Sequence, residues 1–350
     1  MKLPDKDIRS LLKETKRPIR IYGTGNGADK IMDELESAGV RVSAITASDG
    51  FVRDRFFRGF RVVSVNEAAE SYDDPVILPA FGTQREDVMK SILSFAEKYT
   101  VLFADVPVYG NTVFDRRYYN ENAESIEQVY DMLEDEQSRL VYRNIISFRL
   151  SGELKYLTDS FTSKDEAFEN ILRPTEDEVY LDLGAYRGDT IEELLRYTCG
   201  HYRSITALEP DNSTFRKLKA NFGGRENVRL FNMGIWNEDT DLCFEASKGR
   251  GSSVKASGGN TLAVTTIDTL FRRRKVTYIK TDVEGAEEKA LLGGREVIAR
   301  DKPKMNLALY HRSEDIFSLP LLLKKLNPDY RLYIRQHPHI PAWDLNLYAV

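Results

Sequence analysis

Two segments of the chain share a pattern that restricts the fold strongly: a short apolar run, a glycine-rich turn and an amphipathic stretch. The first segment is IRIYGTGNGA at 19–28, and the second is EVYLDLGAYRGDT at 178–190. An apolar run of this length predicts a buried strand. The glycine-rich turn, followed by apolar residues at helical spacing, predicts the start of a helix. Strands that alternate with helices form parallel sheets covered by helices, so each segment predicts the opening of an α/β unit.

The chain divides into three consecutive stretches. Residues 1–115 predict a smaller, Rossmann-like α/β domain, and residues 116–175 predict a helical connector because their apolar residues recur three and four positions apart. Residues 176–350 predict a larger α/β domain. The strands expected in the first domain lie at 19–23, 41–48, 75–82 and 99–107, and its helices at 28–39 and 84–98. No Gly/Ser-rich linker separates the stretches, so we expect them to be docked.

The larger domain predicts a mostly parallel, Rossmann-like sheet with two additions. An inserted β-ribbon is expected from DLCFEAS at 241–247 and TLAVTTI at 261–267, and an antiparallel hairpin is expected at the C-terminus. The expected sheet strands lie in 178–183, 204–210, 227–236, 277–287, 303–311, 330–337 and 343–350.

Composition excludes several classes of protein. The 350 residues carry a net charge of -5, which disfavours a nucleic acid as partner because phosphate binding requires a basic face. The chain has two cysteines, no apolar run of about 18 residues and a charged N-terminus without a signal-peptide core. We therefore expect a cytoplasmic protein that does not act on or in a membrane.

The turn after the 178–183 strand carries the most specific chemistry, in the pattern Asp182-x-Gly184-x-x-x-Gly188. Ligands of open α/β sheets bind at the carboxyl ends of the strands, and glycines there admit a ligand close to the backbone. A carboxylate at this turn repels phosphate, whereas it suits a ligand with an ammonium and a sulfonium. The pattern therefore favours S-adenosylmethionine over a dinucleotide.

The next strand end supports the same cofactor. Glu209, followed by Pro210, ends the 204–210 strand, where one carboxylate can accept both hydroxyls of a ribose. The alternatives are a capped tight turn at Asp182 and a solvated strand end at Glu209. The remaining residues predicted to line the cofactor site are Ala185, Tyr186, Asp189, Asn232, Gly234 and Asp282.

Acidic and histidine side chains follow the fourth and fifth strands. Asp282, Glu284 and His311 are the predicted catalytic residues, because a histidine of ordinary pKa or a carboxylate can take a proton from an acceptor hydroxyl. Acids that complement a helix N-terminus are the alternative, and Glu287 fits that alternative best. His337 and His339 form an HxH pair without a third ligand nearby, so we predict no metal site.

The ordered blocks DLGAYRGDT, ALEPD, NMGIWNED, TTIDTL, IKTDVEGAE, LLGG, LALYH and LYAV resemble the FkbM-type methyltransferases. The resemblance covers about 120–350 and implies an S-adenosylmethionine-dependent enzyme that methylates hydroxyls of sugars, polysaccharides or natural products. The resemblance implies that four residues bind the cofactor: Asp182, Gly184, Gly188 and Glu209. The segment IRQHPHIPAWDLNLYAV departs from the family's commoner C-terminal pattern.

Two other functions remain open at this point. The GTGNGA turn, with Asp49 after the second strand, is also typical of a nucleotide site and allows an NAD-dependent oxidoreductase. A non-catalytic cofactor-binding module is the other alternative. For the favoured function the expected partner is a small-molecule or saccharide acceptor, with a homo-oligomer left open.

Overall fold

The chain folds into two parallel-rich sheets, one in each half, with helices between them. The computed structural model describes residues 1–52, 54–69, 74–245, 253–254 and 260–350. The first sheet has six strands, the second has seven, and a small four-stranded sheet is attached to the second half. The predicted mixed α/β architecture is thus confirmed. No helix in the described ranges is both long and apolar enough to cross a bilayer.

The first sheet contains the strands predicted for residues 1–115 and a hairpin that was not predicted. Its strands are β1 (Ile19–Tyr22), β2 (Ala44–Ala47), β3 (Phe56–Phe57), β4 (Phe60–Ser64), β5 (Val76–Pro79) and β6 (Thr100–Val101). Its helices are α1 (Ile8–Glu14), α2 (Asn26–Ser37), α3 (Val65–Ala69) and α4 (Glu86–Ala96). The strand order is β3-β4-β2-β1-β5-β6, and only β3 runs antiparallel to its neighbour.

Two differences from the predicted strands have local causes. The β3–β4 hairpin turns at Arg58 and Gly59, which both have positive φ (46° and 85°), the geometry of a tight two-residue turn. Arginine rarely signals such a turn, so the hairpin was missed. The strands predicted at 41–48 and 99–107 are also shorter than expected, because β2 begins at Ala44 and β6 ends at Val101.

Helical elements occupy most of the chain between Arg116 and Leu172. They are α5 (Arg116–Met132), α6 (Glu136–Ser151), α7 (Leu154–Thr158), α8 (Lys164–Glu166) and a π-helical segment, Ala167–Leu172. Asp115 and Asp135 cap α5 and α6 by accepting backbone N–H groups, and Gly152 ends α6 with a left-handed φ of 72°.

The second half contains the larger sheet. Its strands are β7 (Val179–Leu183), β8 (Ser204–Leu208), β9 (Val228–Phe231), β10 (Gly234–Ile235), β11 (Thr240–Glu245), β12 (Ser253–Val254), β13 (Asn260–Thr265), β14 (Tyr278–Thr281), β15 (Lys304–Ala308), β16 (Leu332–Gln336) and β17 (Leu345–Ala349). Its helices are α9 (Asp189–Tyr197), α10 (Asn212–Phe222), α11 (Ile267–Leu270), α12 (Glu287–Leu292), α13 (Arg295–Asp301) and α14 (Asp315–Leu326).

The seven-stranded sheet has the order β16-β17-β15-β14-β7-β8-β9. Only β17 runs opposite to the other six strands, and its antiparallel pairing with β16 confirms the predicted C-terminal hairpin. The parallel strands β7, β8, β14 and β15 therefore end at one edge of the sheet. This edge is where the sequence places the candidate site.

The strand predicted at 227–236 is in fact two strands in two sheets. β9 belongs to the seven-stranded sheet, whereas β10 pairs with β13 in the small sheet. The side-chain amide of Asn232 donates to the carbonyls of Glu209 and Pro210 at the point where the chain leaves the large sheet. The predicted β-ribbon is the antiparallel pair β11–β13, and residues 246–247 of its first run lie outside the described residues.

The largest of the three apolar clusters among the described residues crosses all three stretches. Phe103 and Phe114 from the first stretch lie in one cluster with Tyr142 of α6 and with Leu181 and Leu307 of the large sheet. Backbone hydrogen bonds also join the two halves, and Thr83 and Ile340 exchange a reciprocal pair (2.7 and 2.9 Å). The predicted boundaries at 115/116 and 175/176 fall between elements, yet apolar packing continues across both of them.

Candidate functional site

The glycine turn after β7 is fixed by contacts within the protein. Gly184 has φ 79°, and a Cβ built there would lie 1.9 Å from the carbonyl oxygen of Asp282. Gly188 has φ 96°, and its Cβ would lie 2.1 Å from the ring of Phe222. Both positions need glycine because a neighbouring element packs against them. The sequence analysis expected these glycines to make room for a ligand. At both positions, however, the space that a Cβ would occupy is taken by protein atoms.

Asp182 is completely buried near the end of β7. Thr190 donates a hydrogen bond to its Oδ2, and Lys280 Nζ lies 3.8 Å from its Oδ1. Oδ1 has no hydrogen-bond partner among the described residues. Burial raises the pKa of Asp182 to about 6, although Lys280 and Thr190 act in the opposite direction. A cationic or hydrogen-bond-donating ligand would satisfy this oxygen.

Glu209, at the end of β8, is held in place by two backbone groups. Its Oε2 accepts a hydrogen bond from the N–H of Tyr186 (2.9 Å), and its Oε1 accepts one from the N–H of Asp211 (2.9 Å). Burial raises the pKa of Glu209 to about 7, and the two N–H donors offset part of that rise. Since each carboxylate oxygen has two lone pairs, each keeps one for a further donor.

The other predicted cofactor residues surround these two acids unevenly. Ala185 and Gly188 are buried in the turn, whereas Tyr186 and Asp189 are exposed beside it. Asn232 contacts the backbone of Glu209 and Pro210, as described above. Gly234 is buried in β10, where it pairs with Val264 of the small sheet.

Lys280 is a central residue of this edge that was not predicted. It lies on β14 opposite Asp182 and donates a hydrogen bond to the carbonyl of Gly184 (3.3 Å). Its Nζ is 3.8 Å from Asp182 Oδ1 and 3.8 Å from Asp282 Oδ2. Burial alone would lower the pKa of Lys280, but Asp282 and Asp182 raise it. A lysine inside the apolar run YIKTD was the available signal, because a buried lysine requires an acidic partner.

Asp282 connects the cofactor side of the edge to a second group of side chains. Tyr310 donates to its Oδ1 (3.1 Å), and His311 Nε2 lies 3.3 Å from the same oxygen. Burial acts to raise the pKa of Asp282, but Lys280 and His311 hold it below its usual range. Glu284, in the turn after β14, has a left-handed φ of 53° and a half-exposed side chain.

His311 follows β15 and is enclosed by carboxylates. Its Nδ1 lies 2.8 Å from Glu287 Oε1, and its Nε2 lies 3.6 Å from Glu284 Oε2. Burial lowers the pKa of His311, but Glu287 and the other two carboxylates outweigh it and raise the pKa to about 10. The expected ordinary pKa is therefore wrong. A charged imidazole cannot accept a proton, so this arrangement does not support the predicted role of His311 as base.

Glu287 was predicted to be structural, and it lies fully buried at the start of α12. Its Oε1 also accepts the N–H of Val283 (2.9 Å). Ligand atoms of Asp282, Glu287 and His311 all lie within 4.8 Å of one another. These three side chains thus form one compact cluster.

The first half of the chain covers one side of this cluster. The backbone N–H of Tyr109 donates to the carbonyl of His311 (2.9 Å), and the guanidinium of Arg312 lies 4.0 Å from the centre of the Tyr109 ring. A Cβ at Gly285 would lie 2.8 Å from the same ring. This contact was not predicted, because it joins residues far apart in sequence.

The HxH pair lies in hydrogen-bonded, structural surroundings. His337 Nε2 is 2.7 Å from the hydroxyl of Tyr348, and its Nδ1 is 3.0 Å from the carbonyl of Thr162. His339 Nδ1 is 2.9 Å from the carbonyl of Pro341. These contacts connect the terminal hairpin to the connector and account for the buried histidines.

The N-terminal glycine turn differs from the turn after β7. A Cβ at Gly27 would lie 2.4 Å from the carbonyl oxygen of Ala80, so packing against the strand end requires this glycine. Asp49, the expected ribose partner, instead accepts hydrogen bonds from Ser64 and Asn66. The side chain of Arg55 donates to Thr24 within the turn.

Comparison with known proteins identifies the second half. Residues 182–343 match the Methyltransferase FkbM domain family. The crystal structure of methyltransferase FkbM from Methylobacillus flagellatus has a similar fold, with a TM-score of 0.74, 20% identity, and coverage of 99% of this chain and 94% of that one. No curated protein matches this chain.

Two more distant structures match only about half of the chain. They are Aeropyrum pernix fibrillarin with bound S-adenosyl-L-methionine (TM-score 0.33, 14% identity, 53% of this chain and 71% of that one) and Geobacter metallireducens precorrin-6y C5,15-methyltransferase (0.32, 13%, 55% and 93%). Their similarity is too low to bear on function. The family match leads to one conclusion: the chain carries a methyltransferase domain of the FkbM family, at residues 182–343.

Proposed function

We propose that this methyltransferase uses S-adenosylmethionine and transfers its methyl group to a hydroxyl of a sugar, polysaccharide or natural product. The observation that carries the donor assignment is the pair of buried carboxylates, Asp182 and Glu209, at adjacent strand ends. Oδ1 of Asp182 is buried without a hydrogen-bond partner in the described part of the chain, and both oxygens of Glu209 keep a lone pair.

These residues fit the proposed donor by charge and by hydrogen-bonding capacity. Glu209 would accept the two ribose hydroxyls, and Asp182, with Lys280 beside it, would set the polarity next to the methionine part. When bound, the donor supplies an electrophilic methyl group on a sulfonium. A dinucleotide fits this edge poorly, because its pyrophosphate would lie beside two buried acids.

The acceptor side is formed by the cluster around Asp282. Both nitrogens of His311 lie beside carboxylates, so the ring is not a free base for an acceptor hydroxyl. Asp282 and the half-exposed Glu284 are the groups that can accept a hydrogen bond from an acceptor hydroxyl. Their contribution is to hold the acceptor oxygen in line with the methyl group, the kind of positioning that supplies much of the rate in group transfer.

Incubation with a methyl-labelled donor tests this proposal. Saccharides and small hydroxylated compounds are assayed beside counterparts in which one hydroxyl is replaced by an amine. We expect label in an alkali-stable methyl ether and none on the amine. Glu209→Ala should lose this transfer at donor concentrations that saturate the wild type. Label on amines alone would contradict O-methylation, and absence of donor binding would contradict the whole proposal.

A further inference from the structure

The cluster around His311 concentrates carboxylates on both faces of one buried imidazole. Nδ1 lies 2.8 Å from Glu287, while Nε2 lies 3.3 Å from Asp282 and 3.6 Å from Glu284. The side chains of His311 and Glu287 are completely buried. Imidazole and carboxylate oxygens at these separations are the donor set of many divalent-cation sites in proteins.

Two further observations indicate that the cluster holds a cation. First, Nε2 of the fully buried His311 has no hydrogen-bond partner among the described residues although it faces Asp282 and Glu284, and a buried unsatisfied polar atom is costly. Second, a divalent cation could take the place of the Nε2 proton of His311 against the same carboxylates, whereas the nearby lysine and arginine have other partners. Lys280 is shared between Asp182 and Asp282, and Arg312 donates to the carbonyl of Gly285 and packs on Tyr109.

We propose that this cluster binds a divalent cation of the Mg²⁺ or Mn²⁺ type, with Asp282 and His311 Nε2 as direct ligands and Glu284 beside them. Glu287 then serves as the partner of His311 Nδ1 and fixes the ring, an arrangement common among metal-bound histidines. Oxygen-rich surroundings with one imidazole suit these cations, which keep several positions for water or substrate.

This inference rests on the proposed function and narrows its acceptor. A cation at the ends of β14 and β15 would coordinate the acceptor hydroxyl and lower its pKa, so no neutral histidine is needed. In the transfer, the bond between methyl and sulfur breaks, the bond between methyl and the acceptor oxygen forms, and the hydroxyl proton leaves to solvent. An acceptor with two adjacent oxygens, such as a vicinal diol or an α-hydroxy acid, would chelate the cation.

Manganese binding to the full-length chain tests the site without any donor or acceptor. Free Mn²⁺ is followed by its electron paramagnetic resonance signal during titration. We expect one site per chain, with Mg²⁺ competing for it. Asp282→Asn and His311→Ala should each weaken Mn²⁺ binding at least about tenfold, and Glu287→Gln should weaken it about tenfold through the ring. Glu288→Gln is the matched control, because this exposed neighbour on α12 should leave binding unchanged.

The outcomes separate this proposal from the donor assignment. No Mn²⁺ binding at millimolar concentration, or equal affinity in Asp282→Asn and Glu288→Gln, would overturn the cation site. Asp282→Asn keeps the size of the side chain, so it decides the matter even if His311→Ala fails to fold. Calorimetry with S-adenosylhomocysteine in EDTA tests the donor site alone. The affinity of the wild type for this ligand should be the same with and without EDTA. Once an acceptor is found, EDTA should slow methyl transfer and Mn²⁺ restore it; an unchanged rate would overturn the assigned role.

Discussion

Both halves of the molecule contain a strand, a glycine turn and a helix in succession, but among the described residues only the second turn lies beside a group of buried charged side chains. Asp182, Glu209 and Lys280 lie at the edge beside the turn after β7. Beside the N-terminal turn, the corresponding acid is Asp49, which is hydrogen-bonded to its own surface neighbours. In both turns a glycine is required by backbone packing.

The comparison shows that a glycine turn by itself indicates close packing of a helix and a strand end, and does not identify a ligand site. The turns look alike in sequence because each must bring a helix close to a strand end. What distinguishes a ligand site is the group of polar side chains that the fold buries without complete internal partners. The second edge has such a group, whereas the polar side chains described at the first have neighbours of their own.

The largest expected effect concerns the packing role of the turns. Gly184→Ala should destabilise the protein by about 3 kcal/mol or more, because its Cβ would meet the backbone of Asp282 at a positive φ. Gly25→Ala in the N-terminal turn should cost no more than about 1 kcal/mol, since nothing lies within 4 Å of its Cβ. Urea unfolding measures both changes. Equal losses would show that Gly184 and Gly25 do not differ in packing as described.

A second substitution pair compares the acids that follow each sheet's second strand. Glu209→Ala should weaken S-adenosylhomocysteine binding by about 1 to 3 kcal/mol, since hydrogen bonds to a charged group are lost. Asp49→Ala should leave the affinity within about twofold of the wild type, because Asp49 belongs to the other sheet. Calorimetry on both variants provides the comparison. If Asp49→Ala lost as much affinity as Glu209→Ala, the proposed position of the donor at the edge of the second sheet would be wrong.

The smallest effect is a pH dependence that belongs to Glu209. Its pKa is raised to about 7, and only the ionised carboxylate accepts both ribose hydroxyls. Affinity for S-adenosylhomocysteine should therefore fall as pH drops below about 7, by up to tenfold per unit, and level off above it. Glu209→Gln should lose this component. The difference between the two profiles isolates Glu209 from Asp182, whose pKa is about 6. If the wild type and Glu209→Gln showed the same pH dependence of affinity, a group other than Glu209 would be responsible for it.

The sequence predicts the fold better than it predicts the chemistry. Strand and helix periods are local, so both sheets and the terminal hairpin could be recognised, while the short β3–β4 hairpin and the break after Phe231 could not. Asp182, Glu209 and Asp282 could be predicted to lie close together because parallel strands end at one edge. The environment of His311 depends on three carboxylates, located 24 to 29 residues earlier in the chain, and Tyr109 comes from the other half. Contacts of that kind leave no periodic signal.

The central claim is that the carboxyl edge of the seven-stranded sheet binds the methyl donor. Titration calorimetry with S-adenosylhomocysteine on the full chain tests it most directly. We predict saturable binding of one molecule per chain, weakened in Glu209→Ala and retained in Asp49→Ala. A folded wild-type protein that shows no binding at millimolar ligand would contradict the claim.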